Sequence, residues 1–127
     1  MVNHIIGRCL EGHGDFVTVY FVDELLRCYL EYDFQEKQPG KLFLTHALFR
    51  EFADETDEVV GAKTFAFKED GTILMEDQDL SNDQVEERVA TFSVAENWEE
   101  YPSFGEYSRL CNEERTEEKK RTRMKGV

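Results

Sequence analysis

The run AKTFAFKEDGTILMED, Ala62 to Asp77, constrains the fold more than any other stretch of this chain. Phe65 and Phe67 before Asp70-Gly71, and Ile73 and Met75 after it, recur every second residue. That period belongs to strands with one buried face, and Asp-Gly supplies the residues a tight hairpin turn needs. A lone hairpin is not stable in water, so further strands or helices must cover its apolar face.

The chain supplies them. His4–Leu10 reads as a short strand closed by the turn residues of EGHGD. Asp15–Val22, DFVTVYFV, is almost wholly β-branched or aromatic and reads as a central strand. Leu26, Cys28, Leu30, Tyr32 and Phe34 alternate with polar residues, which predicts a third strand with one wet face, joined to the second by a hairpin at Asp23-Glu24. Pro39-Gly40 breaks the chain. In LTHALFREFADE the period changes: Leu44, Ala47, Leu48 and Phe52 fall at helical spacing, Phe49 widens the stripe and Thr45 stands where a cap would. A short amphipathic helix is expected there, followed by an acidic loop, DETDE. After the Asp70-Gly71 hairpin, QDLSND reads as a loop and QVEERVATFSVAENW as one long strand. SFGEYSRLCNEERTEEKKRTRM, with Ser103 as a cap, reads as a terminal helix. These elements sum to an α+β fold: an antiparallel sheet of about six strands, one internal helix and a C-terminal helix, with residues 1–110 as one domain and 111–127 as a helical or frayed tail.

Length fits one core, since 127 residues suffice to bury most of the apolar surface of a single domain. The formal net charge is -13 and it is unevenly spread. Residues 1–110 carry 24 acidic against 9 basic side chains, and residues 111–127 carry 4 against 6. Such a body repels nucleic acid and anionic membrane and attracts cationic partners, although acidity also serves plain solubility. Three cysteines, Cys9, Cys28 and Cys111, form no CxxC pair and cannot complete a disulfide framework, which favours a reducing compartment. With no basic leader before a long apolar run, the chain reads as cytoplasmic.

No catalytic or metal motif stands out. His4 and Cys9 fall on opposite faces of one strand, and neither metal nor cofactor is expected. A Cys and His dyad such as Cys28 with His46 is one nucleophile and base to weigh, but Cys28 sits on an apolar strand face, where a thiol is inert. Among 28 acids no pair has an apolar setting that would raise its pKa.

The remaining feature is NWEEYPSFGEY, Asn97 to Tyr107, with the only Trp of the chain. Packing accounts for its rings: Trp98 covers a sheet edge, Pro102 blocks pairing, and Phe104 with Tyr107 seats the last helix. It does not account for Glu96, Glu99, Glu100 and Glu106 around them, which suit recognition of a basic surface with Trp98 and Tyr101 as anchors. Asp77, Asp79 and Asp83 form a second acidic group.

From Ala62 to Leu110 the order of FAFKEDGTILMED, a further strand and NWEEYPSFGEYSRL resembles small bacterial immunity proteins of polymorphic and contact-dependent toxin systems. The resemblance implies a cytoplasmic protein without enzymatic activity that neutralises a cognate toxin, often a basic nuclease, by covering its active site or substrate face. It carries over no contact residues. Two other readings stay open: a small hydrolase or transferase using His46 or a carboxylate pair in a pocket between sheet and helix, and an acidic mimic of DNA.

Overall fold

The computed structural model describes residues 3–11, 14–102 and 109–111. It is a single antiparallel meander: β1 (Asn3–Glu11), β2 (Gly14–Val22), β3 (Cys28–Gln38), β4 (Lys41–Phe52), β5 (Val59–Phe67), β6 (Thr72–Asp79) and β7 (Gln84–Thr91) pair in chain order. An eighth strand, β8 (Trp98–Glu100), returns to pair with the start of β4. The core follows from the alternation. Val19, Tyr32, Ala47, Phe65 and Met75 stand in register across five strands on one face, flanked by Phe21, Leu30 and Phe49 and by Val17, Phe34 and Leu44. Tyr32 meets Phe21 edge-on at 5.3 Å and Phe34 at 6.2 Å, the geometry favoured by ring quadrupoles. The Asp70-Gly71 hairpin forms as expected between β5 and β6. A tight turn at Pro39-Gly40, where Gly40 takes φ +76°, joins β3 to β4.

The fold is therefore nearly all β, and the expected α+β class is wrong. The internal helix is β4, and a β-bulge explains the error. Asp33 pairs with His46 and Phe34 with Leu44, leaving Thr45 as an extra residue. That insertion places Leu44 and Ala47, three residues apart, on the same face, which mimics a helical period. Either side of it the pattern is that of a strand, with Leu42 and Leu44 inward before it and Ala47 and Phe49 inward after it. Thr45 is itself buried, its hydroxyl donating to the Asp33 carbonyl at 3.2 Å.

The expected long strand QVEERVATFSVAENW is also divided. β7 ends at Thr91, and a single 3-10 turn, Ala95–Asn97, leads into β8. On one edge of β4, β8 pairs with residues 41–43 and β5 with residues 46–52. Asn97 fills the gap between them: its side chain is 1% exposed and its Nδ2 donates to the Leu44 carbonyl at 3.0 Å, replacing a missing ladder bond. The expected terminal helix falls largely on residues 103–108 and 112–127, outside the described residues; residues 109–111 form a turn whose Leu110 joins the core.

Candidate functional site

Beyond Phe65 and Met75 the core-bearing face turns polar. In register, Lys63 stands opposite Asp77 and Asp77 opposite Glu86; in the next row Glu51, Gly61, Asp79 and Gln84 follow one another. These residues bound an open groove of about 810 Å³, with Glu51, Asp77, Asp79 and Glu86 on its lining and Val60 and Val85 at its margin. A Cβ at Gly61 would make ordinary contacts with the Gln78 carbonyl oxygen at 3.4 Å and the Glu51 carboxylate at 3.6 Å. Lys63, 12% exposed, reaches Glu51 at 3.1 Å. Glu51 itself is 64% exposed, so the pair adds little stability.

Asp79 also shapes the mouth of the groove. The Asn82 side-chain amide donates to it at 2.7 Å, and the backbone N–H groups of Ser81 and Asn82 at 3.1 and 3.3 Å. The Asn82 amide first, and these N–H groups after it, hold the Asp79 carboxyl below its ordinary value of 3.8. The folded chain thus holds the proton less tightly than the unfolded chain, so the stabilisation is complete above pH 3.8 and lost as pH falls through the lower folded value. Asp79→Asn is expected to flatten the acid limb of a stability-against-pH curve below about pH 4. An acid limb unchanged from that of the parent chain would rule this out.

The two acidic groups expected from the sequence do not meet. Asp77 and Asp79 lie in the groove, and Asp83 ends the adjoining loop at φ +54°. Glu96, Trp98, Glu99, Glu100 and Tyr101 lie at the other end of β4, about 25 Å along the strand. There Trp98 pairs with Phe43, their rings 4.8 Å apart, and the Tyr101 N–H donates to the Gly40 carbonyl at 2.8 Å. Glu100 pairs with Lys41 at 3.3 Å on the exposed surface. Trp98 and Tyr101 pack against the core here. Glu106 is outside the described residues. Sequence reading missed Glu51, which the helical assignment removed from the sheet, and Glu86, which only the pairing of β7 with β6 brings onto the face of Asp77. The available signal was the period of two within QVEERVAT.

The thiol and imidazole do not form a dyad. Cys28 lies against the Arg50 guanidinium at 3.6 Å, four strand residues and about 13 Å from His46. Partial burial raises the Cys28 thiol above its ordinary value, as does the nearby Glu31 carboxylate. His46 is exposed on the outer face, its Nδ1 3.0 Å from the Thr45 hydroxyl. The pocket expected between sheet and internal helix has no helix to form it. Among the described residues no three His, Cys, Asp or Glu side chains converge on a point that could hold a metal ion, and no helix is long and apolar enough to cross a membrane. Comparison of the chain with protein-family models, curated proteins and solved structures finds no match in any of the three.

Proposed function

We propose that the protein is a small inhibitor of the immunity type, which binds a basic protein domain by seating Lys and Arg side chains in the groove at the β4–β7 end of the sheet. The observation that carries the reading is the placement of Glu51, Asp77, Asp79 and Glu86, from three strands, along one open concavity. A small-molecule site is closed and mostly apolar, with a few polar groups converging. This groove has the opposite character, being open and lined chiefly by polar and charged side chains. Its carboxylates are spread along it, which suits several cationic side chains on one surface better than a single ion. The surrounding field has the same sign, so encounter with a basic partner is steered and salt-dependent. The aromatic corner around Trp98, packed onto Phe43, stands in this reading as a support of the fold.

The test is a binding screen of basic toxin nuclease domains against the parent chain and the quadruple variant Glu51→Gln, Asp77→Asn, Asp79→Asn, Glu86→Gln. One domain is expected to bind the parent chain tightly, and the variant to bind it about a hundredfold or more weakly with most of the loss in association rate. Circular dichroism checks that the variant folds. Equal affinity for parent and variant would dismiss the groove, and binding to none of the domains would dismiss the immunity reading.

A further inference from the structure

We infer that the outer edge of β7 is a self-association surface, through which two copies of this chain join their sheets into one. Among the described residues nothing pairs with the outer edge of β7. Edge strands are usually blunted by brevity, proline, a bulge or unpaired charged side chains, and the charges of β7 can pair with those of a second copy. β7 is eight residues long, contains no proline, and exposes Val85 and Val89 at 58% and 68% on the face opposite the core, beside Leu74 at 45%.

The direction of the backbone groups selects the pairing. The Phe92 N–H donates to the Gly71 carbonyl at 3.0 Å, which makes this the hydrogen-bonded kind of pair in the β6–β7 ladder. Alternation along that ladder directs the N–H and C=O groups of Gln84, Glu86, Arg88 and Ala90 towards β6, and those of Val85, Glu87, Val89 and Thr91 outward. An antiparallel copy therefore bonds through the odd-numbered residues. With the two-fold axis at Glu87, Val85 faces the second copy's Val89, and Glu86 faces its Arg88 in the closer, non-bonded pairs. The stretch VEERV is thus complementary to its own reverse. Each apolar residue meets an apolar one and each inward charge meets its opposite, as a two-fold interface requires.

Shifting the second copy by two residues destroys this match, placing Arg88 against Arg88 or Glu86 against Glu86. In the matched register Arg88, 27% exposed and already 2.9 Å from Glu86 of its own strand, would bridge two carboxylates. Two terms oppose the dimer: Glu87 meets itself on the axis, and each copy carries a net charge of -13. Both are screened by salt, so the dimer is expected to tighten as ionic strength rises.

Sedimentation equilibrium on the full chain tests this without any knowledge of what the groove binds. The parent chain is expected to show a reversible dimer. Glu87→Gln, which removes the like charges on the axis, is expected to tighten it about threefold to fivefold. Glu87→Pro is expected to abolish it while leaving the fold intact, because the N–H it removes points away from β6. Arg88→Glu is expected to weaken the dimer, and Glu86→Arg with Arg88→Glu to restore it. A parent chain and Glu87→Gln variant that both remain monomeric at the highest measurable concentration would overturn the inference. So would a dimer that a folded Glu87→Pro variant retains.

Discussion

Gly71→Ala is expected to lower stability by about 2–3 kcal/mol, a fall of about 10 °C in melting temperature for a domain of this size. Two effects act together. Gly71 sits at φ +97°, a conformation that residues with a Cβ rarely adopt, and its N–H closes the turn onto the Lys68 carbonyl at 3.0 Å. A Cβ at this position would also lie 2.7 Å from the Phe92 carbonyl oxygen, which is backbone and cannot swing aside. The Gly71 carbonyl is in turn bonded to the Phe92 N–H, so relieving the clash disturbs the β6–β7 ladder as well as the β5–β6 turn. Gly40→Ala isolates the first effect. Its φ is +76° and nothing lies within 4 Å of a Cβ there, so it should cost about 1–2 kcal/mol, the strain term alone. Equal midpoints for the two variants in urea titration would show that the Phe92 carbonyl imposes no cost.

Asp70-Gly71 shows what could be read from the sequence. Its turn chemistry is local, and the alternation of Phe65, Phe67, Ile73 and Met75 on either side needs no partner to be recognised. The Asp70 carboxylate completes the turn by accepting the Thr72 N–H at 2.9 Å, another interaction between near neighbours. The strand character of β2 and β3 was legible for the same reason. β4 was not, because its bulge is defined against Asp33 and Phe34 on the neighbouring strand, and a bulge in an apolar strand imitates the helical period. Leu26 was misplaced by extrapolating the alternation of β3 backwards; it takes φ +62° in the loop and is 76% exposed. Asp23 holds that loop by accepting from the backbone N–H groups of Leu25 and Arg27, with Arg27 extending to the carbonyls of Asp54 and Thr56. Contacts between residues 27 and 56 leave no periodic trace in sequence. The groove had the same difficulty. Asp77 and Asp79 were recognisable as an acidic pair, whereas Glu51 joins them only once β4 is a strand and Glu86 only once β7 is paired.

Phe65→Ala is expected to be the most damaging single substitution, costing about 3–5 kcal/mol. Phe65 is fully buried within the five-strand row, between Ala47 and Met75 in register, and its ring contacts Phe49 at 5.7 Å and Phe67 at 6.1 Å. Ala47 is too small to move into the space, and the rings beside it are fixed by their own packing, so the cavity remains largely open. The neighbouring residue supplies the comparison. Thr64 projects from the opposite face, is partly exposed, and should tolerate alanine at less than about 1 kcal/mol. The same contrast applied to β4 separates strand from helix. In a strand Phe49→Ala is costly and Leu48→Ala mild, because Phe49 points into the core and Leu48 to the outer face. On a helix with the stripe Leu44, Ala47, Leu48 and Phe52, Leu48 would be the costly position and Phe49 would lie at the stripe's margin. Denaturant midpoints for Leu48→Ala and Phe49→Ala therefore decide which period β4 follows, and a larger loss at Leu48 would refute the register on which the groove depends.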